Sequence, residues 1–157
     1  MAERRFWLFK SEPEVYGLDD LERDGWTFWE GIRNYQARNY LRDDMRVGDG
    51  VLFYHSNADP PAIVGVARVV REAYPDVTQF DPASDYYDPK ATPDAPRWVR
   101  VDVEYVARFS RPLTLPELKD DPALTGMLVT KKGQRLSVQP VEPQHWQHVT
   151  RLGGHAG

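Results

Sequence analysis

Trp26-Thr27-Phe28-Trp29-Glu30-Gly31-Ile32-Arg33-Asn34-Tyr35-Gln36-Ala37-Arg38-Asn39 is the stretch whose reading decides the fold. It runs on through Met45-Arg46-Val47-Gly48-Asp49-Gly50 to Val51-Leu52-Phe53-Tyr54-His55-Ser56. Trp26 to Trp29 reads as a strand, with Trp26 and Phe28 on one face and Thr27 and Trp29 on the other. Core packing is the expectation for Trp26 and Phe28. Trp29 is followed directly by the polar Glu30-Gly31, which suggests a strand end opening onto a cleft. Asn34 to Met45 reads as a helix, because Ala37, Leu41 and Met45 repeat at a spacing that faces a core. Arg38, Arg42 and Arg46 form a second ridge, which reads either as phosphate contacts or as a solvated face beside Asp43 and Asp44. Val51 to His55 reads as the next strand. Together with Lys10-Ser11-Glu12-Pro13 upstream, these segments form the wall of a pocket for a flat, hydrogen-bonding ligand such as a nucleobase.

The chain has 157 residues, with 41% hydrophobic and 28% charged side chains, which suits one soluble domain with one core over residues 1–157. No apolar run approaches the roughly 20 residues that cross a bilayer. Met1-Ala2-Glu3-Arg4-Arg5 leads into a strand-like segment without a secretory h-region. The cysteine count of 0 excludes disulfides, thiol catalysis and Cys-ligated zinc, and fits a reducing cytoplasm. A net charge of −4 argues against coating nucleic acid through bulk positive charge, but leaves room for a local basic patch.

Around the opening stretch, Arg5 to Lys10 reads as a buried strand ended at Pro13. Leu18 to Asp24 reads as a short helix stopped by Gly25. Ala62 to Val70 is strand-like, with Gly65 marking a bulge or close approach. Tyr74 to Pro96 is a long ordered excursion, because Tyr74, Phe80, Tyr86 and Tyr87 need somewhere to pack. Trp98 to Val106 alternates as a half-exposed strand. Thr114-Leu115-Pro116-Glu117 carries the capping-box pattern of a short helix. Arg135 to Val138 is a short strand ended by Pro140, and Pro143 to Arg151 is a last helix. Regular βαβ alternation is absent, so the expected fold is α+β: a small curled barrel with peripheral helices.

Several chemistries fit poorly. His55 and Ser56 are adjacent but diverge on a strand, and no Gly-x-Ser-x-Gly elbow is present. His145 and His148 are three apart on a helix, without a His-Glu-x-x-His pattern. No catalytic constellation, metal or cofactor is therefore expected. Base recognition asks for stacking rings, edge-reading polar groups and flanking cations. Trp29, Asn34, Tyr35, Ser11, His55 and Arg38 supply those types, with Arg33, Arg42, Lys131 and Lys132 as further phosphate candidates.

Lys10-Ser11-Glu12-Pro13, Trp29 through Asn39, Gly48-Asp49 and Phe53-Tyr54-His55-Ser56 resemble the EVE-domain family. So do Tyr87-Asp88-Pro89-Lys90, Arg97-Trp98-Val99 and Arg135 through Val141. The likeness runs from about Phe6 to Trp146 and implies a PUA-like fold: a small, mixed or mostly antiparallel barrel with helices around it. It is similar in layout to YTH domains, whose Lys-Ser and Trp fall on Lys10-Ser11 and Trp29. The resemblance implies a non-catalytic reader of a modified nucleobase, most readily modified cytosine in DNA. Trp29 would be a cage wall. Ser11, flanked by Lys10 and Glu12, would read the base edge, and Asn34 beside Tyr35 would order the pocket. Tyr54, His55 and Ser56 would line its floor or rim, and Tyr86 or Tyr87 would close it. The alternatives are a general RNA-binding module without modification specificity and a small nucleotide-processing enzyme using His55. The expected partner is nucleic acid, modified DNA or RNA, bound by a monomer with no membrane contact, in the cytoplasm or at the nucleoid.

Overall fold

The aromatic run Phe6–Ser11 is strand β1, and it lies inside a six-stranded sheet. The structure is a computed structural model that describes residues 4–155; the Met1-Ala2-Glu3 lead-in lies outside it. After β1 come α1 (Pro13–Tyr16), α2 (Leu18–Asp24), β2 (Trp26–Trp29) and α3 (Tyr35–Asn39), which loosens into a π turn at Tyr40–Asp44. Then follow β3 (Gly50–His55), β4 (Ala62–Pro75), a 3-10 turn (Val77–Phe80) and β5 (Val99–Thr114). The chain closes with α4 (Leu115–Asp120), β6 (Val138–Val141) and α5 (Pro143–Leu152). The strand order is β2-β5-β4-β3-β1-β6. The β1–β3 pair is parallel and the others are antiparallel. This is the α+β, mostly antiparallel sheet with peripheral helices that the PUA-like resemblance implies, with β2 and β6 left as edges.

Period-two alternation divides the core between the two sheet faces. Trp7, Phe9, Val51, Phe53, Val101 and Val103 pack on one side with Leu18, Leu21, Ala37, Leu41 and Met45. Leu8, Leu52, Tyr54, Val66 and Phe109 pack on the other with Leu118, Leu124, Trp146 and Val149. The N-terminal helices thus cover one face and the C-terminal ones the other. The Ala37, Leu41 and Met45 stripe is fully buried, as its spacing requires. The π turn keeps Met45 on that stripe: its N–H reaches the Tyr40 carbonyl at 3.0 Å, five residues back.

Three local readings need correction. Trp26 and Phe28 are not core residues; they are 55% and 40% exposed. β2 is an edge strand paired only with β5, and the same alternation that sends Trp29 inward sends these two rings outward. Strands β4 and β5 extend well past Val70 and Val106, because bulges interrupt the alternation without ending the ladder. Pro140 does not end a strand but sits within β6, where an edge position leaves its missing N–H harmless. Gly65 marks a close approach: a Cβ there would lie 2.5 Å from the Ala107 carbonyl oxygen.

Candidate ligand cleft

The parallel pairing of β1 and β3 sets Lys10 beside Tyr54 and Ser11 beside His55 at one end of the sheet. Trp29, the last residue of β2, turns inward there. Its indole lies 5.1 Å from the Phe9 ring and meets Phe53 edge-on at 5.6 Å. Most of the ring is therefore core, and it is only 8% exposed. The remaining part borders an open cleft of about 580 Å³. Lys10, Ser11 and Glu12 line it from the end of β1, and Val15 and Tyr16 from α1. Thr27 through Ile32 form another side, with Tyr86 and Ser137 completing the wall.

Tyr86 comes from the long excursion, and a network of polar bonds around the buried Asp76 sets its position. Gly31 has φ +85°, and a Cβ there would come within 2.8 Å of the Tyr86 Cζ, so the phenol ring rests directly on Gly31. Arg33 donates from Nε and Nη2 to the Tyr86 carbonyl at 3.1 and 2.8 Å. Its Nη1 donates to Asp76 Oδ2 at 3.2 Å. Asp76 is fully buried and also accepts from the Gly31 N–H at 2.9 Å and the Thr78 N–H at 2.9 Å. Burial alone would raise the Asp76 pKa; the hydrogen bonds from Gly31 and Thr78 and the Arg33 charge outweigh it and hold the carboxyl below its usual range. The excursion is thus fastened to the β2–α3 turn. Gln79 fastens its far side, its Nε2 donating to the Trp98 carbonyl at 2.7 Å.

The polar groups of the cleft have defined roles. Ser11 Oγ donates its single hydrogen to the Tyr16 carbonyl at 2.6 Å, which leaves its lone pairs as acceptors. Lys10 supplies a cation; burial lowers its pKa, and its Nζ reaches the Gln134 carbonyl at 3.4 Å. Tyr16 is pushed up to about 12, by burial first and then by its bond to Asp24, so it stays a neutral phenol. Glu12 and Glu30 stand at the mouth, Glu12 accepting from Asn57 and Glu30 pairing with Arg100 at 3.0 Å. Rings, acceptors and one ammonium suit a flat heterocycle with both donors and acceptors on its edge. Glu12, whose partner is the neutral Asn57, disfavours a phosphate beside it.

The structure brings Lys10, Ser11, Glu12, Trp29 and Tyr86 together and places the other candidates elsewhere. Tyr54 is buried in the opposite core, although its ring lies 5.9 Å from the Lys10 Nζ. His55, paired in register with Ser11, is outside the lining: its Nε2 accepts from the Leu18 N–H at 3.1 Å, and burial lowers its pKa. The Ser56 N–H donates to the Ser11 carbonyl at 3.0 Å. Asn34 caps α3, its Oδ1 accepting from Ala37 N at 3.0 Å. Tyr35 stacks on Trp98 at 4.8 Å, and Tyr87 is exposed outside the lining. Arg33 is held by Asp76 and Tyr86 rather than presented to solvent. Arg38 donates to the Arg97 carbonyl at 2.9 Å, and Arg42 pairs with Asp43 at 2.8 Å. Lys131 and Lys132 are exposed and outside the lining.

The residues that lie outside the segments read as the pocket wall are Val15, Tyr16 and Ser137, together with Asp76, which acts through Arg33. Pro13 held one usable signal. Proline favours the first turn of a helix as well as the end of a strand, and α1 begins on it.

The sequence model of the EVE domain matches residues 5–152. Thymocyte nuclear protein 1 of Gallus gallus is 41% identical over 165 residues, covering 93% of this chain and 67% of its own length. A crystal structure of a Pseudomonas putida protein superposes with a TM-score of 0.89 at 48% identity, covering 94% of this chain and 98% of that one. The human THYN1 protein, solved in complex with 5-methylcytosine-containing DNA, superposes with a TM-score of 0.88 at 40% identity, covering 95% of this chain and 97% of that one. With the family match running through nearly all of the sheet and both helical layers, this chain belongs to the EVE domain family.

Proposed function

We propose that this chain is a non-catalytic reader of modified cytosine in DNA, which seats one unstacked base in the cleft between Trp29 and Tyr86. The observation that carries the reading is the open slot beside an indole that the core holds rigid. A preordered ring loses little entropy when a base stacks on it. The human THYN1 protein, seen with 5-methylcytosine-containing DNA, supports the choice of ligand. The acceptor lone pairs of Ser11 face the kind of donor that the cytosine amine provides, and Lys10 suits its ring nitrogen or carbonyl. Val15, Phe28 and Ile32 supply apolar surface for a methyl group. The Glu12 carboxylate in the lining keeps the backbone phosphates outside. Reaching a base in duplex DNA requires flipping it, at a cost of a few kcal/mol, so single-stranded or weakened sites bind best. The cleft binds and does no chemistry in this reading, and a monomer suffices. No described helix is long and apolar enough to cross a membrane.

The test is a titration with single-stranded oligonucleotides carrying one cytosine, 5-methylcytosine or 5-hydroxymethylcytosine. Stacking is worth roughly 1–3 kcal/mol per base. Tyr86→Ala should therefore weaken binding of the preferred base by about tenfold or more. Trp29→Phe, which keeps most of the core packing, should weaken it by less. Equal weak binding of every base, unmoved by either substitution, refutes the reader.

A further inference from the structure

The outward face of β2 carries features that the cleft does not use. The chain has 5 tryptophans. Trp7, Trp29, Trp98 and Trp146 are buried, whereas Trp26 is 55% exposed. Phe28, two residues on, shares its face and also lines the cleft mouth. From Phe28 a column of rings and guanidinium groups crosses the sheet. The Arg100 guanidinium lies 4.2 Å from the Phe28 ring centre and 5.0 Å from that of Tyr74. The Arg71 guanidinium lies 3.7 Å from the Tyr74 ring centre. The strand register explains the alignment: Phe28 pairs with Asp102, Arg71 with Asp102, and Tyr74 with Arg100.

The acids on this face are already engaged. Asp102 accepts the Tyr74 hydroxyl, and Glu104 pairs with Arg68. Arg71 has no carboxylate partner among the described residues. The face therefore presents an exposed indole two residues along β2 from Phe28 in the cleft lining, and an unneutralised guanidinium two strands across from Phe28. Single-stranded nucleic acid is recognised by this combination: bases stack on rings while cations follow the backbone. A lone exposed tryptophan needs no explanation on its own. One continuous with a base-sized slot and a row of arginines does.

We propose that the Trp26 face is a stacking platform for the nucleotides flanking the base in the cleft, with Trp26 taking a neighbouring base and Arg71 a backbone phosphate. The proposal rests on the reading of the cleft as a base pocket. It names a second part of the binding surface, which would set affinity for the strand rather than for the modification.

The experiment compares two ligands: the 5-methyl-2′-deoxycytidine monophosphate, which fills only the cleft, and a nine-nucleotide single strand centred on 5-methylcytosine. Trp26→Ala should weaken the oligonucleotide about tenfold, within the usual worth of one stacked base, and leave the mononucleotide unchanged. Trp26→Phe should restore most of the loss. Arg71→Gln should make oligonucleotide binding less salt-dependent by about one released counterion. The platform is overturned if Trp26→Ala leaves oligonucleotide binding intact, or if it weakens both ligands equally. It is also overturned if Trp26→Ala changes only a monomer–dimer equilibrium in light scattering, which would make the β2 edge a contact between two copies of the chain. Failure of the base-reader reading looks different. The mononucleotide then would not bind, and no oligonucleotide would distinguish modified from unmodified cytosine, whatever residue stands at 26.

Discussion

Asp76→Asn tests whether the excursion is pinned to the cleft by one buried carboxylate. Oδ2 of Asp76 accepts from Gly31 N and from Arg33 Nη1; Oδ1 accepts from Thr78 N and, at 2.5 Å, from Thr78 Oγ1. An asparagine turns one of those oxygens into a donor. Toward Gly31 and Arg33 its NH₂ leaves two donors without an acceptor; toward Thr78 it leaves only the Thr78 N–H without one, because the hydroxyl can rotate to accept. If the amide faces Arg33, a charge-assisted bond worth roughly 1.5–3 kcal/mol is lost, and an unsatisfied Gly31 N–H costs roughly 1–3 kcal/mol more. The Arg33 side chain is 23% exposed, so water recovers part of this. The expected loss is about 3 kcal/mol, which for a chain of this size lowers the melting temperature by roughly 6–12 °C. Urea unfolding measures it directly. The pH dependence adds a sign. The folded pKa of Asp76 lies below its ordinary 3.8, so its contribution is full above that value and fades as pH falls through the folded pKa. The two unfolding curves should therefore converge in acid. A loss under about 1 kcal/mol at neutral pH, or curves that stay parallel into acid, refutes the idea that this carboxylate holds Tyr86 in place.

Two other perturbations follow from the same region. His55 must be unprotonated at Nε2 to accept from Leu18, and its pKa is lowered, by burial first and then by Arg108, with Asp19 opposing. Stability should be full above pH 6.5, the ordinary value, and fall as pH drops below it through the folded pKa. His55→Gln should flatten that slope by about 1 kcal/mol, the usual net worth of one hydrogen bond, in urea melts at pH 7.5 and pH 5. Gly31→Ala places a Cβ 2.8 Å from the Tyr86 ring at φ +85°. The left-handed backbone alone costs roughly 1–2 kcal/mol, and displacing the ring should weaken base binding as Tyr86→Ala does, which calorimetry of both variants would show.

What the sequence disclosed was local. The helix from Leu18 to Asp24, the strand from Trp26 to Trp29 and the Thr114 cap were each legible, because each depends on neighbours within one or two turns. The Thr114 hydroxyl does accept from the Glu117 N–H, at 3.4 Å. What it concealed was long-range. Alternation divides Trp26 and Phe28 from Trp29 but does not say which face is covered, because that depends on β5, more than 70 residues away. Arg33 reads as a free cation until Asp76, 43 residues later, is seen beside it. Arg38 likewise reaches the Arg97 carbonyl, 59 residues later, whereas Arg42 pairs with its neighbour Asp43. An arginine in a sequence records a charge and says nothing about what neutralises it.

That distinction bears on how an acidic chain can approach nucleic acid at all. With a net charge of −4 and carboxylates of Glu12 and Glu30 at the cleft mouth, long-range attraction contributes little. Glu30, however, is paired with Arg100, and Arg100 also stacks on Phe28. One guanidinium thus neutralises the acid at the lip and joins the cleft to the aromatic column on the outer face. Affinity would then come from desolvated rings on both sides of that lip rather than from a positive surface. A protein built this way would be held weakly by unmodified duplex, whose bases are stacked and whose phosphates meet a chain of net charge −4. Such weak background binding is what discrimination by a single buried base requires, since selectivity is the difference between that base and everything else the strand offers.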